Sequence, residues 1–383
     1  MTRFRKAIGL IHLWLGLITG IVVLIMGITG SIFVFQKEIS DLLYKEKFFV
    51  KPPSKPTPLP YSILLKEAQS TLGKNRPINY AITFKDPTLA WEFMTYKAGN
   101  PKSLTYFGSV DYYTSVFINP YTGKATGTRD YKYDFFNIVK YIHWSLLLND
   151  SYGQIITGYS TLIFVIMLIT GMIMWWPKTW SKTNINKSFK IKWDASFKRL
   201  NYDLHNVPGF YVMLIALIIA LSGMVYAMKW FETTVYVIAS RSITPPDIKS
   251  AKSTVSASVN SPIDIAFNTA RRLFPVEDRI TVANATDKDG VIQISGIKGK
   301  ETFYRADELQ FDQYTGKLLI RRNYSEQNAG EKLIRMNYDI HVGAILGLPG
   351  KILAFIASLV AASLPVTGFI IWLKRKKNKK RFK

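Results

Sequence analysis

The stretch Arg335-Met336-Asn337-Tyr338-Asp339-Ile340-His341 leads into the apolar segment Ile352–Leu373. A near-twin, Arg199-Leu200-Asn201-Tyr202-Asp203-Leu204-His205, leads into Val207–Met228. Two histidines therefore stand at the mouths of two long hydrophobic segments behind the same polar residues. The chain has only four histidines, and the other two, His12 and His143, also stand at or near the head of such segments, Leu10–Phe35 and Ile155–Trp176. Each segment is about as long as the roughly 20 apolar residues that a bilayer-spanning helix needs. The fold class expected is an α-helical integral membrane protein with four transmembrane helices. The first run is too long for the apolar core of a signal peptide and has no small-residue cleavage pattern behind it, so it reads as a retained helix.

Charge sets the expected orientation. Arg3, Arg5 and Lys6, the connection Pro177–Asp203 and the tail Lys374–Lys383 hold 18 of the 50 basic residues but only two of the 26 acidic ones. Basic residues in short flanks and loops mark the cytoplasmic side. The termini and the middle connection are expected inside, with the two long inter-helix segments outside. The net charge of +24 follows this topology and forms no aromatic-interleaved patch, so no nucleic-acid partner is expected. The absence of cysteine excludes disulfides, thiolate metal sites, iron–sulfur clusters and thioether-linked haem.

Between the spans the pattern changes. Pro-rich residues 51–60 read as an extended linker, Tyr61–Leu72 as an amphipathic helix, and alternating stretches at 79–84, 90–96, 104–107 and 115–118 as strands. The second outer segment repeats the plan with a helix over 262–273 and strands near 279–285 and 290–295. Two small α+β outer modules are expected. The boundaries are 1–38 for the first transmembrane helix, 39–135 for the first module, 136–178 for the second helix and 179–200 for the basic loop. The third helix takes 201–230, the second module 231–334, the fourth helix 335–373 and the tail 374–383.

The halves read as tandem helix–module–helix repeats. His12 is followed by Gly16, Thr29-Gly30 and Tyr121-Thr122-Gly123-Lys124; His205 is followed at the same offsets of 4, 17, 18 and 109 residues by Gly209, Ser222-Gly223 and Tyr314-Thr315-Gly316-Lys317. His143 and His341 lead, at spacings that agree within one residue, to Thr170-Gly171 and Thr367-Gly368. Such parallel repeats imply a pseudo-two-fold axis along the membrane normal.

A lone histidine at a membrane interface is usually just a polar residue in a tolerant place, but all four here belong to membrane segments. Depth pairs them as His12 with His205 on the inner side and His143 with His341 on the outer side. Facing imidazoles on a two-fold axis suit bis-histidine haem, so two b-type haems are expected with these four residues as axial ligands. Asn201 and Asn337, one turn before their histidines, are candidates to bond the free ring Nδ1 or a haem propionate. Arg199, Arg335 and Lys140 are candidate propionate partners. Gly16 and Gly209 read as clearance for a porphyrin, while Gly30, Gly171, Gly223 and Gly368 read as helix-packing glycines. Trp144 beside His143 is a candidate haem contact. A zinc site is disfavoured because no carboxylate completes a ligand set at matching depth. There is no phosphate-binding loop for a nucleotide.

In this order the whole chain resembles the PepSY-associated transmembrane family of iron-regulated membrane proteins. The resemblance is carried by the His-initiated helices, the module turns at Asn119–Lys124 and Phe311–Lys317, and the helix ends Trp175-Trp176-Pro177 and Trp372. It implies an inner-membrane, haem-dependent siderophore-iron reductase of the FoxB type, an oxidoreductase with periplasmic PepSY-like modules. The substrate would be a ferric siderophore or other Fe(III) chelate, the surroundings a lipid bilayer, and the electron donor a quinol or a cytoplasmic reductase. A haem-free PepSY-type regulator or peptidase-inhibiting module is the competing expectation.

Overall fold

In the computed structural model the described residues are 3–177, 179–246, 248, 250–256 and 259–381, with side chains described to Lys374. Most of the basic tail 374–383 and Lys178 of the inner connection thus lie outside the described side chains. The chain forms two compact units: Met1–Phe35, Val139–Glu232 and Ile340–Lys383 make one, and Gln36–Ile138 and Thr233–Asp339 the other.

The first unit is a helical bundle. Its spans are Arg3–Val34, Asp150–Trp175, Phe197–Ala227 and Gly347–Arg381. All four are long and apolar enough to cross a bilayer, the last through the stretch Ala344–Lys374. The first and fourth spans pack backbone to backbone at Gly27, where an added Cβ would lie 2.8 Å from the Ser358 carbonyl oxygen and from the Ala362 Cβ. Ala354, Ala357, Ala361 and Ala362 are buried along the fourth span. Without a hydrophobic force between helices in lipid, small residues of this kind permit the close approach that dispersion and hydrogen bonding require.

Two helix boundaries differ from expectation. His143 does not open the second span; it lies on a separate helix, Phe135–Ser145, that ends before the span begins. Leu146 and Leu147 take left-handed φ of 56° and 58° there, and Leu146 N–H donates to the Ile142 carbonyl, an αL-type ending built without glycine. Asn149 then caps the span by accepting from Ser151 N–H. His341 likewise closes the helix Ala329–His341, and Gly343 and Gly347, both at positive φ, turn the chain into the fourth span.

The second unit is a single antiparallel sheet carrying two helices. Its strands are β1 Tyr80–Phe84, β2 Trp91–Ala98, β3 Val110–Ile118, β4 Ala125–Asp130, β5 Arg279–Ala283, β6 Val291–Ile297, β7 Ala306–Asp312 and β8 Leu318–Arg322. The order is β4-β3-β2-β1-β5-β6-β7-β8. The two outer segments are thus not separate modules: β1 and β5 pair from Tyr80↔Ala283 to Phe84↔Arg279, and one ladder runs through both. Helices Tyr61–Leu72 and Pro262–Leu273 start and stop as expected and bury Tyr61, Leu64, Phe267 and Ala270 with Phe93, Val282 and Phe311 of the sheet in one core. Each large apolar side chain buried there contributes roughly 1.5–3 kcal/mol.

The repeated Tyr-Thr-Gly-Lys is a turn signature. Asn119 Oδ1 accepts from Tyr121 N–H and Asp312 Oδ1 from Tyr314 and Thr315 N–H, while Gly123 and Gly316 supply φ of 74° and 68°. The strand expected at 104–107 is instead a single helical turn, Tyr106–Ser109, that leads into β3.

Candidate metal centres

The bundle brings the four histidines together in two pairs. The rings of His12 and His205 have centroids 6.4 Å apart with planes at 89°. Those of His143 and His341 are 6.0 Å apart at 62°. A metal–imidazole bond is about 2 Å, so two imidazoles bound across one metal ion have ring centres about 6 Å apart. Both pairs meet that separation.

What holds each ring lies on the antiparallel neighbour of its own half. His12 Nδ1 is 2.9 Å from Thr170 Oγ1, and His143 Nδ1 is 3.3 Å from Thr29 Oγ1 and 2.9 Å from the Met26 carbonyl. His205 Nδ1 is 2.9 Å from Thr367 Oγ1, and His341 Nδ1 is 2.9 Å from Ser222 Oγ and 3.1 Å from the Ile219 carbonyl. Met167 and Leu364 hold the corresponding place three residues ahead of Thr170 and Thr367.

These partners assign the tautomer. Thr170, Thr29, Thr367 and Ser222 each donate their hydroxyl proton to a carbonyl of their own helix, at 2.9, 2.7, 2.9 and 2.8 Å. Toward the histidines they can then only accept, as can a backbone carbonyl. Nδ1 therefore carries the proton in all four rings, and Nε2 keeps its lone pair. The arrangement fixes the four imidazoles with Nε2 free to coordinate.

The residue after each hydroxyl is a glycine, and it faces the same ring. A Cβ added at Gly30, Gly171, Gly223 or Gly368 would lie 3.1, 3.4, 3.4 and 3.2 Å from Cε1 of His143, His12, His341 and His205. The sequence reads these four glycines as helix-packing; their missing side chains make room for the histidine rings instead. Gly16, assigned to cofactor clearance, faces the Met167 methyl at 2.9 Å, a flexible neighbour. Gly209 does line the inner cavity, with His12, His205 and Trp175.

The surroundings of the pairs differ. The cavity of the His143–His341 pair is also lined by Trp144, Gln154, Thr157, Thr161 and Tyr226, and Trp144 packs on Tyr226 at 5.9 Å. That of the His12–His205 pair is lined by Met167, Met172, Met213 and Trp175. Among the described residues no three His, Cys, Asp or Glu side chains converge on a point, so each centre offers a pair of imidazoles.

The flanking motif plays a different part from the one read in the sequence. Asn201 donates from Nδ2 to the Thr367 carbonyl at 3.0 Å, while the hydroxyl of the same threonine holds His205 Nδ1. Asn201 braces the supporting helix rather than the ring. Asn337 is buried one turn before His341, whose Nδ1 goes to Ser222 and Ile219. Arg199 bonds Asp203, four residues on, at 2.9 Å and the Lys187 carbonyl at 3.2 Å; Arg335 pairs with Glu308. Both guanidiniums are thus engaged by carboxylates of the protein. Lys140 lies 4.6 Å over the Tyr141 ring.

The family described as the PepSY-associated TM region matches residues 10–375. The chain belongs to that family. The match runs across both units and includes all four histidines of this PepSY-associated TM protein. Among curated proteins no sequence matches it. Its four apolar spans make it a multi-pass membrane protein.

Proposed function

We propose that this PepSY-associated TM protein is a di-haem electron carrier that reduces ferric iron in siderophore chelates. The observation that carries the reading is the pair of imidazole couples at metal-bridging separation, each ring fixed as the Nδ1–H tautomer by a hydroxyl whose own proton is committed elsewhere. His12 with His205 and His143 with His341 would hold two b-type haems. Bound haem supplies a one-electron Fe(III)/Fe(II) couple at two depths of the bilayer. Thr170, Thr29, Thr367 and Ser222 keep the ligand nitrogens basic and aimed. The glycines beside them let the rings sit against helix backbone.

We read the two halves as a tandem repeat, since every ligand, hydroxyl and glycine has a counterpart at a matching offset. Because basic flanks mark the cytoplasmic side, we read the termini and the middle loop as cytoplasmic and the sheet unit as periplasmic, in an inner membrane. In the overall reaction one electron from the cytoplasmic or quinol side converts chelated Fe(III) to Fe(II), which the siderophore holds weakly.

The test is direct. Purified protein, reduced and freed of reductant without oxygen, is mixed with ferrioxamine while an Fe(II) trap is followed. The proposal expects the reduced haem bands to fade in step with Fe(II) release. Unchanged bands with no trapped Fe(II) would overturn it.

A further inference from the structure

The inner histidine pair is connected to the protein surface by a chain of aromatic rings. Trp175 lines the inner cavity with His12 and His205. Its ring stacks on Phe210 at 4.0 Å and 13°, and meets Phe189 edge-on at 4.8 Å. Phe189 is 6.3 Å from Trp180, which is 5.5 Å from Trp176, and Trp180 and Trp176 are 57% and 47% exposed. The indole N–H of Trp175 donates to the Ser188 carbonyl at 3.0 Å, tying the second span to the helix Lys182–Phe189.

This exposed end is strongly basic. Lys182, Lys187, Lys190, Lys192 and Lys198 are all exposed. Of the two acids in the connection, Asp203 is buried and taken up by Arg199 and the Lys192 N–H, which leaves Asp194 at the surface. The short helix does not read as lipid-bound. A membrane-surface helix needs a broad apolar face, whereas Lys182–Phe189 turns Phe189 inward onto Trp175 and exposes Lys182, Thr183, Asn186 and Lys187 beside a single apolar side chain, Ile185.

We infer that the 180–198 segment is the docking face for an acidic, soluble one-electron donor protein, and that Trp180, Phe189 and Trp175 form the route by which its electron enters. The inference rests on the haem reading only for the electron's destination. One electron leaves the reduced iron–sulfur cluster or flavin of the donor, which is thereby oxidised, and reduces ferric iron held between His12 and His205. Tunnelling weakens exponentially with distance, so a ring chain from the surface to the cavity wall favours this entry over other sides of the bundle. Opposed charges raise the rate of productive encounter and make it sensitive to salt.

The experiment uses full-length protein in detergent with a plant-type [2Fe–2S] ferredoxin, an acidic carrier, as probe. Ferredoxin binding and the rate of protein reduction by pre-reduced ferredoxin are measured separately, with neutral durohydroquinone as a reference reductant. We expect binding to weaken about tenfold or more between about 20 and 200 mM salt. We also expect the double change Lys187→Glu with Lys190→Glu to weaken it comparably. Trp180→Leu should slow reduction by ferredoxin with little change in binding, and durohydroquinone should reduce every variant alike. Binding that ignores salt and the lysine changes would overturn the docking face, as would lysine changes that alter only adsorption to anionic vesicles. A Trp180→Leu protein reduced by ferredoxin at the wild-type rate would overturn the route. A colourless preparation would refute the haem reading alone, since the binding measurement needs no haem.

Discussion

Thr367 Oγ1 lies 2.9 Å from His205 Nδ1 and donates its own proton to the Ser363 carbonyl at the same distance. That one contact joins two helices and chooses a tautomer. The hydroxyl has nothing left to give, so the imidazole must donate, and its other nitrogen is left basic toward the cavity.

Removing the acceptor should therefore loosen the ligand. Thr367→Val is expected to weaken haem retention at the inner pair by roughly 10–100-fold, the usual cost of losing a hydrogen-bonding partner behind a metal ligand. Thr367→Ser should retain most of it. Haem-to-protein ratios after dilution into apomyoglobin, a competing acceptor, separate the two.

Gly30 makes a steric counterpart. A Cβ there would press on His143 Cε1 at 3.1 Å, and a leucine would drive the ring from its place. Gly30→Leu should cost about 1–3 kcal/mol in packing. It should remove the outer haem while sparing the inner one, read as a halving of the haem content of folded protein.

The sheet unit holds a buried ion pair. Arg129 and Asp134 meet at 2.8 Å with 7% and 4% of their side chains exposed, and Asp134 Oδ1 also accepts from Phe136 N–H. Breaking such a buried pair from one side leaves an uncompensated charge and costs roughly 3–5 kcal/mol. Asp134→Ala should lower the unfolding temperature of the sheet unit, followed by limited proteolysis on heating. Replacing both partners by apolar residues should restore much of the loss.

Much of this was legible in the sequence, and the gaps have physical causes. His12, His143, His205 and His341 stood out because an imidazole beside a long apolar run needs a reason to be there. Asn201 was misplaced because one-turn spacing puts it on the ring's own helical face, whereas the real partner, Thr367, is on another helix 162 residues away. The Thr-Gly and Ser-Gly pairs were visible as spacings, but contacts between antiparallel helices do not show as periodicity. β4 and β8 carry exposed polar residues such as Thr128 and Arg321, and their sequences, Ala-Thr-Gly-Thr-Arg-Asp and Leu-Leu-Ile-Arg-Arg, lack the apolar–polar alternation that marks a half-buried strand. Nothing local announces that β1 and β5 fuse two modules, nor that Leu146 and Leu147 adopt a backbone usually left to glycine.

Glu92 gives the sheet unit a pH signature. Burial raises its carboxyl above the ordinary glutamate value, against hydrogen bonds from Ser115 and Tyr131 and the charge of Arg129. A carboxyl whose value is higher in the folded chain favours folding when protonated, so that stability falls as pH rises from about 4.3 toward the raised value. Glu92→Gln should accordingly raise the unfolding temperature at neutral pH. The advantage should vanish below about pH 4, which paired melts of the two proteins would reveal.

Haem content of four single His→Ala variants beside wild type bears most directly on the paired imidazoles. The account predicts two haems in wild type. His12→Ala and His205→Ala should each lose the same spectral component, and His143→Ala and His341→Ala should each lose the other. Wild-type protein that stays colourless when made with haem in excess would contradict it, and so would variants whose losses group by helix pair, His12 with His143 and His205 with His341.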